Sequence, residues 1–275
     1  MNIVIGCAAM NFLSGSPLYN YELALELIRL GHKVTLMSVW EPVLGDARPL
    51  RTNLEAAGVE CLTPLDKQPQ ADLVISSQRS MKRTGLLLNV VHSEYDCEAP
   101  DMEADGYIAI RPSIKEHLET LGLTNIAMIY NGIDSNRFNP SLRLGYEPKE
   151  YRTTLVPCTF DGLRETFIRT MAAQSSPEHK IIFMGYNHGL VMPYGDNIEV
   201  VGDRFDIEQV IAGVDNVAGI LLGRVNLEAA FMNVGSDIYN PETGLKTSHF
   251  LGGYQAQYDI KTMTREIISF ANQLS

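Results

Sequence analysis

The tightest constraint on this chain is the order of pieces in its first 38 residues. Residues 3–8 (Ile-Val-Ile-Gly-Cys-Ala) form a short apolar run without alternation, the pattern of a strand buried on both faces. A small-residue loop follows to Ser16. Residues 17–30 then place Leu18, Tyr21, Leu25 and Ile28 at helical spacing, with Leu23, Ala24 and Leu27 beside them. Pro17 suits a first turn, and Gly31 is the stop signal. Lys33–Ser38 is a second strand-like run. Two strands joined through a helix need a crossover, so they run parallel.

The same rhythm continues. Residues 59–62, 72–76, 86–92, 106–110 and 126–130 read as strands, and 113–121 as a helix with Ser113 at its N-cap and Gly122 as its stop. Residues 139–148 are polar, turn-rich and aperiodic, and read as a linker. Beyond them, strands are expected at 154–159, 180–185, 198–201 and 217–222. Helices are expected at 162–173, 206–212, 225–232 and 260–274. The predicted fold is therefore α/β, with two Rossmann-like parallel-sheet domains, 1–145 and 146–275, facing a cleft. The terminal helix has the option of packing back on the first domain. In such sheets a ligand sits beyond the carboxyl ends of the strands, so the cleft is the expected site.

Composition narrows the function. With 22 Lys+Arg against 33 Asp+Glu the formal net charge is −11, and Lys82-Arg83 is about the densest basic step. That argues against a nucleic-acid backbone as partner, which needs a basic face. Cys7, Cys61, Cys97 and Cys158 form no CxxC, so they read as reduced core thiols of a cytoplasmic protein, not as zinc ligands. No secretory leader and no run of 18 apolar residues is visible, which leaves peripheral contact as the form of membrane association to consider. GxGxxG, P-loop, G-x-S-x-G, EF-hand and DxD patterns are absent.

Three places carry candidate chemistry. The loop Asn11 to Ser16 runs straight into a helix. There Gly15 permits close backbone approach, and the helix start at Ser16 offers N–H groups to an anion. His92 follows a Leu/Val-rich strand and opens the polar stretch Ser93-Glu94-Tyr95-Asp96. Gly223-Arg224-Val225-Asn226-Leu227-Glu228-Ala229-Ala230 is a strand-to-helix turn with a cation and a carboxylate. Each has a plainer reading: any β–α loop, a satisfied core histidine, a solvated helix acid.

Asn131-Gly132-Ile133-Asp134, Arg137-Phe138 and Pro140 closely resemble the NGID…RF.P segment of GT-B glycosyltransferases of the family 4 type. Residues 21–27 with Gly31-His32-Lys33-Val34-Thr35, residues 110–121, and Val91-His92-Ser93 are similar to further segments of that family. Together they span most of residues 1–140. Gly223 to Ala230 resembles the family's turn that holds the nucleotide-sugar. The resemblance implies a retaining, metal-independent hexosyl transfer from a nucleotide-diphosphate-sugar to an acceptor hydroxyl. The acceptor is a glycan, a lipid-linked sugar or a small molecule, and the donor is substrate, so no cofactor is expected.

On that reading Glu228 anchors the ribose. Gly15, Ser16, Gly223 and Arg224 face the diphosphate, Arg164 supplies further positive charge, and His92 orients acceptor or sugar. The chain also departs from the family. Ile220 stands where its E-x7-E pattern has an acid, and Pro157 to Arg164 lacks the usual Arg and Lys pair. These departures keep one alternative open: a GT-B-like nucleotide- or sugar-binding protein with weak or no turnover. A nucleotide-sugar epimerase of the same fold is a third option, for which the sequence offers no acid–base set around the sugar.

Overall fold

A computed structural model describes the chain except for residues 9–12, 40–47, 78–80, 95–98 and 251. It divides into two compact units. The first gathers most residues up to Gly132 together with Ala256–Ser275; the second holds Ile133–Gln255 with Leu13–Gly15.

The first unit contains β1 (Asn2–Cys7), α1 (Gly15–Arg29), β2 (Lys33–Ser38), α2 (Arg48–Ala56), β3 (Glu60–Leu62), β4 (Leu73–Ser76), β5 (Leu86–Val91), β6 (Gly106–Ala109), α3 (Pro112–Thr120) and β7 (Ile126–Met128). Its seven strands lie in the order β3-β2-β1-β4-β5-β6-β7, every pair parallel. The apolar runs sit where their lack of alternation puts them: Ile3, Ile5, Val74, Ile75, Leu87 and Leu88 are buried. Helix α2 was not expected from the sequence. Helix α3 starts earlier than expected, because Pro112 fits a first helical position. Arg111, not Ser113, is the cap residue, and no side chain caps the helix.

The second unit contains β8 (Arg152–Pro157), α4 (Glu165–Ala172), β9 (His179–Met184), β10 (Ile198–Val201), α5 (Ile207–Ala212), β11 (Asn216–Ile220), α6 (Arg224–Phe231), β12 (Gly235–Tyr239) and β13 (Lys246–Phe250). The order is β10-β9-β8-β11-β12-β13, parallel except for the antiparallel edge strand β13. Strands β12 and β13 were not foreseen.

The division between the units differs from the expected boundary. Residues 139–148 are not a free linker. Pro140–Arg143 forms a 3-10 turn capped by Asn139, whose Oδ1 accepts from the Ser141 amide. Arg143 Nη1 donates to the carbonyls of Ile211 (3.2 Å) and Val214 (2.7 Å), and Tyr146 Oη donates to Asp215 Oδ1 at 2.6 Å. These bonds tie the stretch to the second unit.

The chain changes unit twice, because the terminal helix α7 (Ile260–Leu274) belongs with the first. Met263, Thr264, Ile267 and Ala271 are buried. Gly132 lies so close to α7 that a Cβ there would stand 2.6 Å from the Ile260 Cα, and its amide donates to Met263 Sδ at 3.0 Å. Glycine at the second position of the NGID segment is thus a packing requirement of the first unit. Gly132→Ala is expected to cost about 1–3 kcal/mol through overpacking. A lowered denaturation midpoint, with earlier proteolytic release of the C-terminal helix, checks it.

Candidate functional site

The strand order of the second sheet reverses between β8 and β11, so the loops at their carboxyl ends leave neighbouring strand tips. This is the place where an open parallel sheet takes a ligand. Arg164 is in the first of these loops, and Gly223, Arg224 and Glu228 are in and after the second.

The β11–α6 turn is strained and tightly built. Leu221 has φ 52°, an uncommon conformation for a non-glycine residue, costing on the order of 1–3 kcal/mol. Gly223 occupies the N-cap of α6. Asn226, fully buried, accepts from the Gly223 amide through Oδ1 (3.2 Å) and donates from Nδ2 to Ser236 Oγ (3.1 Å). It packs against Gly219, where a Cβ would stand 2.6 Å from its Oδ1. The Gly223 N–H, expected to face a diphosphate, is therefore occupied by a side chain of its own helix. The Asn226 amide turns back to the Gly223 carbonyl (3.2 Å), and the first-turn N–H groups point along the helix start.

Arg224 and Glu228 are one turn apart on α6, and Arg224 Nε donates to Glu228 Oε1 at 2.6 Å. Their side chains are 6% and 3% exposed. Glu228 is thus not a solvated helix acid. Its side chain leans toward the helix start, as helical side chains do, and meets the guanidinium there. Ile220, at the position where the family carries an acid, packs against the apolar cluster of Val156, Phe160, Phe183 and Ala218.

Arg164 is also paired. Asp161 caps the turn Gly162–Arg164 by accepting from the Arg164 amide (3.2 Å), and its Oδ2 accepts from Arg164 Nη1. The positive charge expected from Arg164 is thus partnered by an acid of its own turn. Neighbouring backbone fixes this loop: the Phe160 amide donates to the Tyr186 carbonyl (2.8 Å), and the His188 amide to the Phe160 carbonyl (2.9 Å). Gly185 lets the two loops approach, at φ 154° and with Cys158 O only 1.9 Å from where a Cβ would stand. Burial pushes the Cys158 thiol up to about 12, which removes it as a nucleophile.

In the first unit the order reverses between β1 and β4. Gly15 and Ser16 begin α1 at that point, although nothing crowds Gly15. Among the described residues the buried Ser16 hydroxyl has no hydrogen-bond partner, nor have the Tyr19 hydroxyl and both polar atoms of the Asn20 amide. His92 follows β5, next to β4, with Nε2 3.0 Å from Ser77 Oγ and its ring edge-on to Tyr19 at 5.1 Å. The rest of the loop 9–12 and the stretch Tyr95-Asp96 lie outside the described residues.

Sequence reading missed Asn226, Ser77 and Tyr19. Tyr19 is one aromatic residue within α1, Ser77 follows the end of β4, and Asn226 stands inside the Gly223–Ala230 turn without a chemistry of its own to mark it. It also left Arg137 without a role. Its guanidinium lies between the rings of Phe138 (5.0 Å) and Phe205 (4.5 Å), pairs with Glu208 at 2.9 Å and donates to the Phe205 carbonyl. The RF.P segment is a structural clasp on the β10–α5 loop.

Among the described residues no group of three His, Cys, Asp or Glu side chains is placed to hold a metal ion. In the same set, no helix is long and apolar enough to cross a membrane.

No protein-family model and no curated protein sequence matches the chain. Solved structures do match in fold. HepE from Anabaena, in complex with UDP and glucose, superposes with a TM-score of 0.67 at 16% identity, over 99% of this chain and 100% of that one. AviGT4, a glycosyltransferase involved in avilamycin A biosynthesis, gives 0.68 at 11% identity over 100% and 98%. Sucrose-phosphate synthase from Thermosynechococcus elongatus gives 0.60 at 13% identity over 100% and 92%. The chain has the GT-B fold of these glycosyltransferases, over its whole length.

Proposed function

We propose that the protein is a glycosyltransferase that moves a sugar, a hexose on this reading, from a nucleotide-diphosphate-sugar to an acceptor hydroxyl. We assign it a retaining, metal-independent reaction and a cytoplasmic setting. The observation that carries the reading is the β11–α6 turn. It joins a strained strand end, a helix N-terminus and a buried Arg224–Glu228 pair at the reversal point of the second sheet. The HepE structures of the same fold, whose complexes contain UDP, glucose or UDP-glucose, support a nucleotide-sugar as donor. Metal independence rests on the family resemblance and on the missing DxD pattern. Free Cys7, Cys61 and Cys158 fit a reducing compartment.

The chemistry separates charge. As the sugar becomes oxocarbenium-like, the departing diphosphate gains negative charge. Cations and a helix N-terminus aimed at it lower the barrier because they are already oriented. Glu228 accepts from the ribose hydroxyls, and Arg224, held by Glu228, faces the diphosphate. Arg164 leaves Asp161 for the phosphate oxygens. His92 is assigned to orienting the acceptor or sugar, and the start of α1 at Gly15 and Ser16 to binding the donor.

The rival reading, a binding protein without turnover, is favoured by two facts: both candidate arginines are already paired with acids of the chain, and Ile220 replaces the family's acid. A panel of UDP-, GDP-, ADP- and TDP-sugars decides. Transfer predicts release of nucleotide diphosphate, whereas a rise in Tm with one ligand and no release supports binding alone. Arg164→Ala is expected to reduce kcat about a hundredfold while nucleoside affinity stays within about twofold, because its charge acts on the leaving group. Unchanged turnover removes Arg164 from the reaction.

A further inference from the structure

We propose that Arg111 is the positioning residue of His92. It holds the main chain of the loop after β5, while Ser77 and Tyr19 hold the imidazole. The functional half of this inference rests on the assignment of His92 to the sugar or acceptor.

Strands β5 and β6 are parallel neighbours, with Val91 opposite Ala109, so the residues that follow them leave adjacent strand tips. Arg111 stands at the cap of α3 with extended backbone, φ −160° and ψ 162°. A side chain at that position ordinarily satisfies the amides of its own helix. This one reaches across to the neighbouring loop instead. Its Nη1 donates to the His92 carbonyl at 3.2 Å and its Nη2 to Glu94 Oε2 at 2.5 Å, while Nε donates to Ser113 Oγ at 3.1 Å. Ser113 passes the bond on, donating to the second Glu94 oxygen at 2.6 Å. Every guanidinium nitrogen thus ends on the His92–Glu94 loop, directly or through one hydroxyl.

The arrangement differs from an ordinary surface ion pair, which two mobile side chains make and break at little cost. The Arg111 side chain is only 15% exposed. Burial alone would push the Glu94 carboxyl up, but the Ser113 hydrogen bond and the Arg111 charge outweigh it and hold the carboxyl below its ordinary range. The clasp is therefore charged at neutral pH and fixed in geometry by the fork of the guanidinium.

The ring of His92 is held separately, through Ser77 Oγ on one nitrogen and Tyr19 at its edge. Removing Arg111 frees the carbonyl end while leaving these contacts in place, so the imidazole pivots rather than departs. Displacing a reacting or orienting group by as little as about 1 Å costs on the order of a hundredfold in rate.

The test uses the full-length protein with Arg111→Ala, Arg111→Lys and Ser113→Ala, and two independent readouts. The first is the 15N–1H correlation of the histidine imidazoles, with the His92 signal identified by its loss in His92→Ala. The second is release of UDP from UDP-glucose. In Arg111→Ala the His92 signal is expected to shift and broaden, and kcat to fall at least tenfold with KM within twofold. Arg111→Lys is expected to recover part of both, since one ammonium replaces one of three donors. Ser113→Ala should lie between wild type and Arg111→Ala. An unchanged His92 signal in a folded Arg111→Ala protein overturns the proposal. A shifted signal with undiminished turnover keeps the hold of Arg111 on His92 but overturns the role of His92 itself. If Arg111→Ala does not fold, the lysine and Ser113 variants carry the measurement. Their His92 signals must then both shift from the wild-type position, or the proposal fails.

Discussion

Glu228→Ala is expected to lower the stability of the second unit by about 3 kcal/mol, because it strands the Arg224 guanidinium in a site with almost no access to water. In the same variant, nucleotide affinity falls by about 1–3 kcal/mol through lost charge-assisted hydrogen bonds to the ribose. The two effects can be separated. Replacing both partners, Arg224→Met with Glu228→Leu, removes the pair without leaving a buried charge, and such exchanges are often neutral or stabilising. The double variant should therefore recover the denaturation midpoint of the wild type and still fail to bind nucleotide. Chemical denaturation and titration calorimetry with UDP check both halves. A double variant that is stable and binds UDP normally would show that the pair serves the fold alone.

Gly185→Ala is expected to be more damaging than any other single methyl addition considered above. The new carbon would stand 1.9 Å from the Cys158 carbonyl oxygen, and the backbone at φ 154° is hostile to a side chain. One of the two loops must move, which breaks the hydrogen bond from the Phe160 amide to the Tyr186 carbonyl and exposes the Phe160 ring. A loss of at least about 3 kcal/mol is expected from clash and backbone strain together. Gly189→Ala is the control. It has positive φ (88°) but open space around the added carbon, so it should cost only about 1 kcal/mol. Equal losses in the two variants would mean that φ alone, and not the approach of the two loops, makes glycine necessary at 185.

Much of the architecture was legible because buried parallel strands write themselves as uninterrupted apolar runs. Residues 3–8, 72–76 and 86–92 announced β1, β4 and β5 in that way. Strand β12 hid because its Ser236 and Asp237 are buried polar residues with partners elsewhere. Ser236 receives Asn226, and Asp237 is held by Lys246, His249 and Asn216. Edge strand β13 is mostly exposed and polar, so it carries no apolar run at all. The turn-rich composition of residues 139–148 marks a loop, not its freedom. The Arg143 bonds that fasten residues 139–148 to the end of α5 and the turn after it cannot be read from spacing.

The candidate site was legible in part. The Gly-Arg…Glu spacing put Arg224 and Glu228 on one helix face, and the structure brings them into contact. Their mutual neutralisation, and the capture of Arg164 by Asp161, depend on rotamers that no sequence pattern specifies. Asn226 shows the same limit. A single asparagine three residues after a glycine reads as a surface residue, yet it is fully buried and occupies the very amide expected to meet the ligand.

The claim on which the rest depends is that a nucleotide-diphosphate group sits at the start of α6. Hydrogen–deuterium exchange of the intact protein with and without saturating UDP addresses it at the amides themselves. The account predicts slowed exchange in peptides covering residues 221–228 and 158–164, with β13 and α2 unchanged. Slowing elsewhere with none at 221–228, or no slowing at saturating UDP or any other nucleoside diphosphate, would contradict it.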